Sequence, residues 1–191
     1  DIPFQLCQLP NLERLYLHRN NLYGTIPESW GQTKRLGLLS LSENKLSGQI
    51  PDSLGDLPQL RRLHLDHNQM SGKIPANLGR CQNLELVDFS YNKLTGNIPP
   101  EVAGLQNLHF YFNISSNLLQ GSLKEMSKMV MVQAIDVSLN HFSGEIPSSL
   151  STCTDLQYLN LSWNSFDGPI PTSLTKLKIL QDIDLSGNNL S

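Results

Sequence analysis

The chain has 191 residues, of which 39% are hydrophobic, so it is long enough to bury a sizeable core. Its formal net charge of −3 supplies no broad basic field, which excludes a general binder of nucleic acids or other polyanions. No apolar run approaches the about 20 residues that cross a bilayer, and no charged start followed by an apolar stretch predicts a signal peptide. Attachment to a membrane would therefore require a segment outside these residues.

An asparagine recurs along the chain at nearly constant spacing. The recurring asparagines are Asn20, Asn44, Asn68, Asn92, Asn117, Asn140, Asn164 and Asn188. The intervals between them are 24, 24, 24, 25, 23, 24 and 24 residues. Such regular recurrence indicates a protein built from about eight stacked coils.

Each coil contains a short predicted strand just before its asparagine. Apolar residues stand eight, five and three positions before it, as Leu60, Leu63 and Leu65 do before Asn68. The Leu-x-Leu step predicts a strand that buries every second side chain. One coil cannot bury these leucines alone, so stacked coils are expected to form a continuous core beneath an inner parallel sheet. With strands about 4.8 Å apart, that sheet is roughly 35 Å long.

The segment after the asparagine predicts a turn and a short helix. The asparagine amide is expected to hydrogen bond to backbone groups of its own and neighbouring coils. A glycine and an Ile-Pro pair follow, as in Gly48, Ile50 and Pro51; glycine permits a bend, and proline ends strand pairing. Apolar residues then stand three apart, as Leu54 and Leu57 do, which predicts a short 3₁₀ or helical turn on the outer side.

The repeat has one irregularity near its middle. An extra residue stands near His109–Phe110, and the following coil is one residue short, with Leu123–Lys124 in place of Ile-Pro. We interpret the pair of changes as a local bulge with its compensation, in which Met126 and Met129 serve as adaptable core residues. A hinge or domain boundary is the alternative, and the resumption of the frame argues against it.

Residues 1–191 are expected to form one solenoid without natural ends. Ile2-Pro3 occupies the Ile-Pro position, so the chain begins partway through a coil, and Ser191 follows closely on the last asparagine. Neither end has a polar or disulfide-paired cap of the kind that shields a terminal core. The sequence therefore predicts a fragment of a longer solenoid that lacks both caps.

The frame L-x-x-L-x-L-x-x-N-x-L-x-G-x-I-P, read from Leu36 to Pro51, resembles the plant-specific leucine-rich-repeat class. The stretch from Met129 to Pro147 is similar to receptor-like kinases of the flagellin-receptor type, and the class also includes polygalacturonase-inhibiting proteins. The resemblance implies a right-handed leucine-rich-repeat solenoid of the α/β type. It further implies an extracellular glycoprotein, at the cell surface or in the apoplast, with innate immunity among the roles of the class.

The leading functional expectation from this resemblance is a receptor-kinase ectodomain that recognises a ligand on its concave or lateral face. A peptide, a carbohydrate or a protein is the expected ligand, and a co-receptor is a further candidate partner; nucleic acid is not. A secreted inhibitor of pathogen cell-wall-degrading enzymes is the alternative. An enzyme is the third and least favoured hypothesis.

The candidate ligand-binding residues stand six, four, two and one positions before each asparagine, where side chains are expected to point outward from the inner strand. Those in the first three coils are Arg14, Tyr16, His18, Arg19, Arg62, His64, Asp66 and His67. Those in later coils are Asp88, Tyr91, Tyr111, Asp136, Tyr158, Trp163, Asp182 and Asp184. This face is basic and histidine-rich early and acidic and aromatic late, which would orient an extended charged ligand. A merely solvated face is the alternative.

A column of serines stands two positions before the asparagines. Its members are Ser42, Ser90, Ser115, Ser138, Ser162 and Ser186. An exposed ladder of hydroxyls would suggest ice binding. We favour the simpler interpretation that these hydroxyls form local hydrogen bonds at the end of each strand.

Three N-x-S sequons predict glycosylation at Asn113, Asn160 and Asn189. Asn113 and Asn160 occupy the same inner-face position of their coils, so a glycan on either would cover part of that face.

No catalytic, metal or cofactor site is predicted. His18, His64, Asp66 and His67 are spread over two coils' width, and no Ser-His-Asp order, phosphate loop or paired acid is found. Cys81 and Cys153 take the place of leucines, so we expect them to be buried as small hydrophobic residues; Cys7 lies near the open end.

Overall fold

The computed structural model describes all residues from 1 to 191 as a solenoid with two parallel sheets of eight strands each. The inner sheet consists of β1 (Arg14–Tyr16), β3 (Leu38–Ser40), β5 (Arg62–His64), β7 (Leu86–Asp88), β9 (Tyr111–Asn113), β11 (Ala134–Asp136), β13 (Tyr158–Asn160) and β15 (Asp182–Asp184). Each strand pairs with the equivalent strand of the next coil, which confirms the predicted leucine-rich-repeat solenoid.

The second sheet lies after the asparagine of each coil and was not predicted. It consists of β2 (Tyr23–Gly24), β4 (Lys45–Gln49), β6 (Gln69–Lys73), β8 (Lys93–Gly96), β10 (Leu118–Gly121), β12 (His141–Glu145), β14 (Ser165–Gly168) and β16 (Asn189–Leu190). The sequence signal for it is a step of two, since Leu46, Gly48 and Ile50 alternate with polar residues. The alternating segment is short and contains a glycine, which is unfavourable in strands, so the pattern did not predict a strand there.

The outer side consists of short helical turns, as predicted. Seven are 3₁₀ turns, at Phe4–Gln8, Glu28–Gln32, Asp52–Asp56, Ala76–Arg80, Lys124–Lys128, Ser148–Thr152 and Thr172–Lys176, and one is a single α-helical turn, α1, at Pro100–Ala103. A proline precedes most of them; Pro51, for example, has φ −62° and ψ 133°. None of the helical segments has the length and hydrophobicity needed to span a bilayer.

The leucine positions form one continuous core. Forty-six buried hydrophobic residues belong to a single cluster that extends from Ile2 to Leu177. The inner-strand leucines Leu39 and Leu63 are fully buried beneath their sheet. Burial of apolar area in this shared core, rather than within any one coil, is what stabilises the stack.

The recurring asparagines connect the coils, as expected. Asn117 is buried; its side-chain oxygen accepts a hydrogen bond from the backbone N–H of Leu94 in the preceding coil at 2.9 Å. Its amide nitrogen donates to the carbonyl oxygens of Phe89 and Ile114 at 2.9 and 3.1 Å. The same pattern recurs at Asn44, Asn68, Asn92, Asn140 and Asn164.

The predicted bulge and its compensation are both confirmed. Three residues separate the buried Leu108 and Phe112, where regular coils have two between the corresponding leucines. In the next coil the 3₁₀ turn begins directly after Leu123, whose φ of −91° and ψ of 14° differ from those of the usual proline. Met126 and Met129 are buried, and the strands on either side remain in register, so the two changes cancel.

Candidate ligand-binding face

The inner sheet aligns the predicted outward side chains in two continuous rows. The first row, six positions before each asparagine, runs through Arg14, Leu38, Arg62, Leu86, Tyr111, Ala134, Tyr158 and Asp182. The second row, four positions before it, runs through Tyr16, Ser40, His64, Asp88, Asn113, Asp136, Asn160 and Asp184. Parallel pairing in register is therefore what brings residues about 24 positions apart into one surface.

The prediction that the serine column points outward is wrong for the first five of its six members. Ser42, Ser90, Ser115, Ser138 and Ser162 are all buried. Several of their hydroxyls bond to side chains of the strand instead. Ser90 Oγ donates to Asp88 at 2.7 Å, and Ser138 Oγ donates to Asp136 at 2.6 Å. This confirms the local hydrogen-bonding interpretation and leaves no exposed hydroxyl ladder on the inner face.

The residues directly before seven of the asparagines form a row along one side of the face, and all of them except the half-buried Ser116 are exposed. Arg19, Glu43, His67, Tyr91, Ser116, Leu139 and Trp163 occupy this row, and all have φ between 52° and 56°. Trp163 is 63% exposed and Tyr91 is 52% exposed. Leu139 is also exposed and was missed by the sequence reasoning, although its place in the frame is the same. Residues other than glycine rarely adopt this left-handed backbone conformation. The turn at the end of each inner strand therefore imposes it on every residue of the row.

A basic groove of about 780 Å³ lies beside the first strands of the face. Its cationic lining comes from Arg14, Lys34, Arg35, Arg61 and Arg62. Gly37 leaves the groove open because it contributes no side chain at the position that Glu13 and Arg61 fill in neighbouring coils. The sequence frame did not predict Lys34, Arg35 and Arg61 as site residues. They stand seven to ten positions before the asparagine, outside the positions expected to point outward from the strand.

Most cations of the basic groove have partners, but two do not. Arg61 pairs with Glu85 at 3.2 Å, and Arg35 donates to the side-chain oxygen of Asn11 at 2.6 Å. The side chains of Arg14 and Arg62 form neither a hydrogen bond nor an ion pair, and the Arg62 guanidinium lies 5.9 Å from the ring centre of Phe110. These two guanidinium groups are thus free to bind an anionic group from outside.

The early histidines do not gather with other acidic, histidine or cysteine residues, since no three His, Cys, Asp or Glu side chains converge on one point. The His67 ring stacks on Tyr91 at 4.2 Å and lies 3.1 Å from the Asp66 carboxylate, whose other oxygen accepts a hydrogen bond from Ser42. Burial lowers the pKa of His64, because removal from water disfavours the charged ring.

The later half of the face presents carboxylates held in fixed orientation. One oxygen of Asp136 accepts hydrogen bonds from the backbone N–H and the hydroxyl of Ser138 at 3.0 and 2.6 Å. Its other oxygen has only long contacts, at 3.4 Å from the Tyr158 hydroxyl and 3.3 Å from the Asn160 amide. Burial raises the pKa of Asp88, and burial beside Asp88 and Asp136 raises the pKa of Tyr111.

The sequons differ in exposure. Asn113 is buried, and its amide nitrogen lies 3.4 Å from Asp88. Asn160 is half-buried, with its amide directed at Asp136 and Tyr158, whereas Asn189 in β16 is exposed. Glycosylation at all three remains a prediction.

The cysteines are buried, as predicted for Cys81 and Cys153. Burial raises the pKa of both thiols to about 11, so neither carries the thiolate that reactivity requires. Cys7 is also buried, and its thiol donates to the carbonyl oxygen of Phe4 at 2.6 Å.

Comparison with family models identifies the repeat directly. A leucine rich repeat model matches residues 10–70, and a second leucine rich repeat model matches residues 83–105, 131–153 and 155–177. Together these matches cover more than half of the chain.

Individual relatives include plant receptor kinases. The chain is 46% identical over 46 residues to the receptor protein-tyrosine kinase CEPR1 of Arabidopsis thaliana, which is 24% of this chain and 5% of that protein. The ectodomain of the Arabidopsis receptor kinase HAESA, solved with the peptide hormone IDA, is 33% identical over the whole chain with a TM-score of 0.94. The chain spans 32% of that ectodomain's length. HAESA has also been solved with both IDA and the co-receptor SERK1.

A plant ice-binding protein shares the same fold. It is 29% identical with a TM-score of 0.80, over 99% of this chain and 68% of that protein. A shared fold therefore does not establish a shared function, and a functional assignment has to be argued from the side chains on the inner face.

Proposed function

The chain belongs to the leucine-rich-repeat family, and on that premise we propose that it is the peptide-recognition segment of a plant receptor-kinase ectodomain. The observation that carries the proposal is the inner face, where arginines without ion pairs, oriented carboxylates and exposed aromatic rings lie in adjacent rows along the same stack of coils. Exposed Trp, Tyr and Arg are the residues that dominate binding energy at protein interfaces. Among the relatives, HAESA binds a peptide hormone and a co-receptor, which favours the same ligand class here.

An extracellular location follows from this proposal, since the related receptor segments are ectodomains. The flagellin-receptor type, a role in innate immunity, and carbohydrate or protein ligands remain finer hypotheses about the same face. The secreted-inhibitor alternative shares the fold and differs in its target. Ice binding is less favoured, because the serine column that would supply a regular hydroxyl array is buried.

The test is binding of the 191-residue chain to a panel of synthetic plant peptide hormones that includes IDA, measured by biolayer interferometry. We expect at least one peptide to bind, and the double variant Tyr158→Ala, Trp163→Ala to weaken that binding about tenfold or more, because two aromatic anchors are removed. The matched control is Tyr23→Ala, which removes a 61% exposed tyrosine from the second sheet and should leave the affinity unchanged.

Two results would contradict the proposal. Unchanged affinity in the double variant would mean that the peptide binds elsewhere. Inhibition of polygalacturonase by the chain, with no peptide of the panel bound, would favour the secreted inhibitor instead.

A further inference from the structure

Charges on the inner sheet recur on every second strand. In the early half, Arg14 on β1 and Arg62 on β5 stand in the same register position, with the uncharged Leu38 of β3 between them. Neither guanidinium forms a hydrogen bond or an ion pair with the protein, and that of Arg62 lies over the Phe110 ring, so the N–H donors of both are available to a ligand. The early half therefore offers two like charges separated by two strand spacings.

The late half repeats this spacing with the opposite sign. Asp88 on β7, Asp136 on β11 and Asp184 on β15 occupy one register row. Asn113 of β9 and Asn160 of β13 stand between them in that row. Carboxylates thus alternate with neutral amides across five neighbouring strands.

The spacing of these charges corresponds to one backbone conformation of a bound peptide. Neighbouring strands lie about 4.8 Å apart, so charges on every second strand are about 9.6 Å apart. A polyproline II chain advances about 3.1 Å per residue with three residues per turn, so every third side chain points the same way about 9.3 Å further on. An extended β-chain repeats the same face after about 6.7 Å, which does not match.

A second feature of the face also suits a proline-rich chain. Tyr91, Leu139 and Trp163 are each about half exposed or more, and they stand in a row beside the carboxylates. Grooves lined by exposed aromatic rings are the surfaces on which proline-rich segments dock, since the rigid chain loses little entropy on binding. The apolar row and the charged row lie on adjacent positions of the same coils.

Resting on the proposed peptide-binding function, we propose that the inner face selects a polyproline II peptide with basic side chains at every third position. The basic residues pair with Asp88, Asp136 and Asp184, and the prolines pack against the row of Tyr91 and Trp163. An acidic group elsewhere in the peptide pairs with the free guanidinium groups at the opposite end of the sheet. Opposite charges at the two ends also determine the direction in which the peptide lies.

The oriented carboxylates make this spacing selective. Asp88, like Asp136, has one oxygen bonded to the serine two residues later, at 3.0 Å from its N–H and 2.7 Å from its hydroxyl. Its other oxygen has only the 3.4 Å contact from Asn113. A carboxylate that is fixed through one oxygen and open at the other accepts an external guanidinium with little reorganisation.

The experiment compares two synthetic nine-residue peptides of identical composition, six prolines and three arginines. The in-phase peptide has arginine at positions 3, 6 and 9, and the out-of-phase peptide has it at positions 3, 5 and 7. The affinity of each peptide is measured by isothermal titration calorimetry at low salt. We expect the in-phase peptide to bind roughly five- to tenfold more tightly, because only it aligns three cations with three carboxylates. Asp136→Asn, which keeps the oxygen that Ser138 needs, should abolish most of this preference.

The matched control is Asp167→Asn, which makes the same change of charge at an exposed position on the second sheet. It should leave both affinities unchanged. Equal affinity of the two peptides, or equal effects of the two variants, would overturn the proposal. If the hormone panel binds through Trp163 while the two probes bind alike, only the spacing rule fails and the proposed function stands.

Discussion

At the scale of single residues, one asparagine per coil combines two structural tasks. Its amide nitrogen donates to carbonyl oxygens at the strand end, and its oxygen accepts an N–H from the preceding coil. No other common side chain of this size offers donors and an acceptor in that arrangement, which explains why the residue recurs. Because the residue recurs at a fixed spacing, the sequence frame alone identified it and predicted its contacts with the neighbouring coil.

The first prediction concerns Asn117, whose removal leaves buried backbone groups without partners. Asn117→Ala should lower the free energy of unfolding by about 2–4 kcal/mol, since unsatisfied buried groups cost roughly 1–3 kcal/mol each. Urea denaturation followed by circular dichroism measures the change. Asn107→Ala removes a single exposed hydrogen bond to Gln82, at 2.7 Å, and should cost less than about 1 kcal/mol. Equal losses in the two variants would show that the asparagine contacts do not stabilise the stack.

At the scale of elements, the outer turns stack as closely as the strands do. Gly31 of the Glu28–Gln32 turn is buried, and a Cβ added to it would lie 2.6 Å from the carbonyl oxygen of Ser53 in the next turn. Backbone cannot yield as a flexible side chain does, so this position requires a residue without a side chain. The close approach depends on the neighbouring coil and is invisible in the sequence of one repeat.

A second prediction follows from this contact. Gly31→Ala should destabilise the protein by about 1–3 kcal/mol, because the added methyl forces two packed turns apart. Thermal unfolding measures the loss. The neighbouring exposed position supplies the control, since Gln32→Ala should change the stability by less than about 0.5 kcal/mol. A melting temperature of Gly31→Ala equal to that of the unaltered chain would mean that the turns can separate freely.

At the scale of the whole molecule, the irregular middle does not interrupt the core. The extra residue near His109–Phe110 and the missing one after Leu123 cancel, and the buried cluster runs through both coils. Stability in a solenoid is the sum of coil and interface contributions, so an unbroken interface implies that the two halves unfold together. The hinge interpretation predicts the opposite.

Two tryptophans on either side of the irregular coils allow a direct test. Trp30 is buried in an early coil, and Trp163 lies in a late one. In each single-tryptophan variant, Trp163→Phe or Trp30→Phe, the fluorescence and far-ultraviolet circular dichroism transitions in urea should coincide. Transitions that separate within one variant would identify two cooperative units divided at the middle of the chain.

The sequence by itself determined the solenoid, its number of coils, the inner strands, the outer turns, the asparagine contacts and the burial of Cys81 and Cys153. These follow from periodicity, because in a stacked coil a fixed spacing in sequence is also a fixed neighbour in space. The same frame also located the bulge.

Only the tertiary structure decided the second sheet, the burial of the serine column and the basic groove beside Gly37. The serine hydroxyls bond to nearby side chains, as Ser90 does to Asp88 of its own strand and Ser42 to Asp66 of the next coil. The groove combines side chains from several coils, which the frame of one repeat does not show. The contact between Arg62 and the exposed Phe110 is a further example. Phe110 lies beside the extra residue of a later coil, whereas Arg62 belongs to an earlier coil. The core can therefore be predicted from the sequence repeat, whereas the surface of the inner face depends on side chains from neighbouring coils.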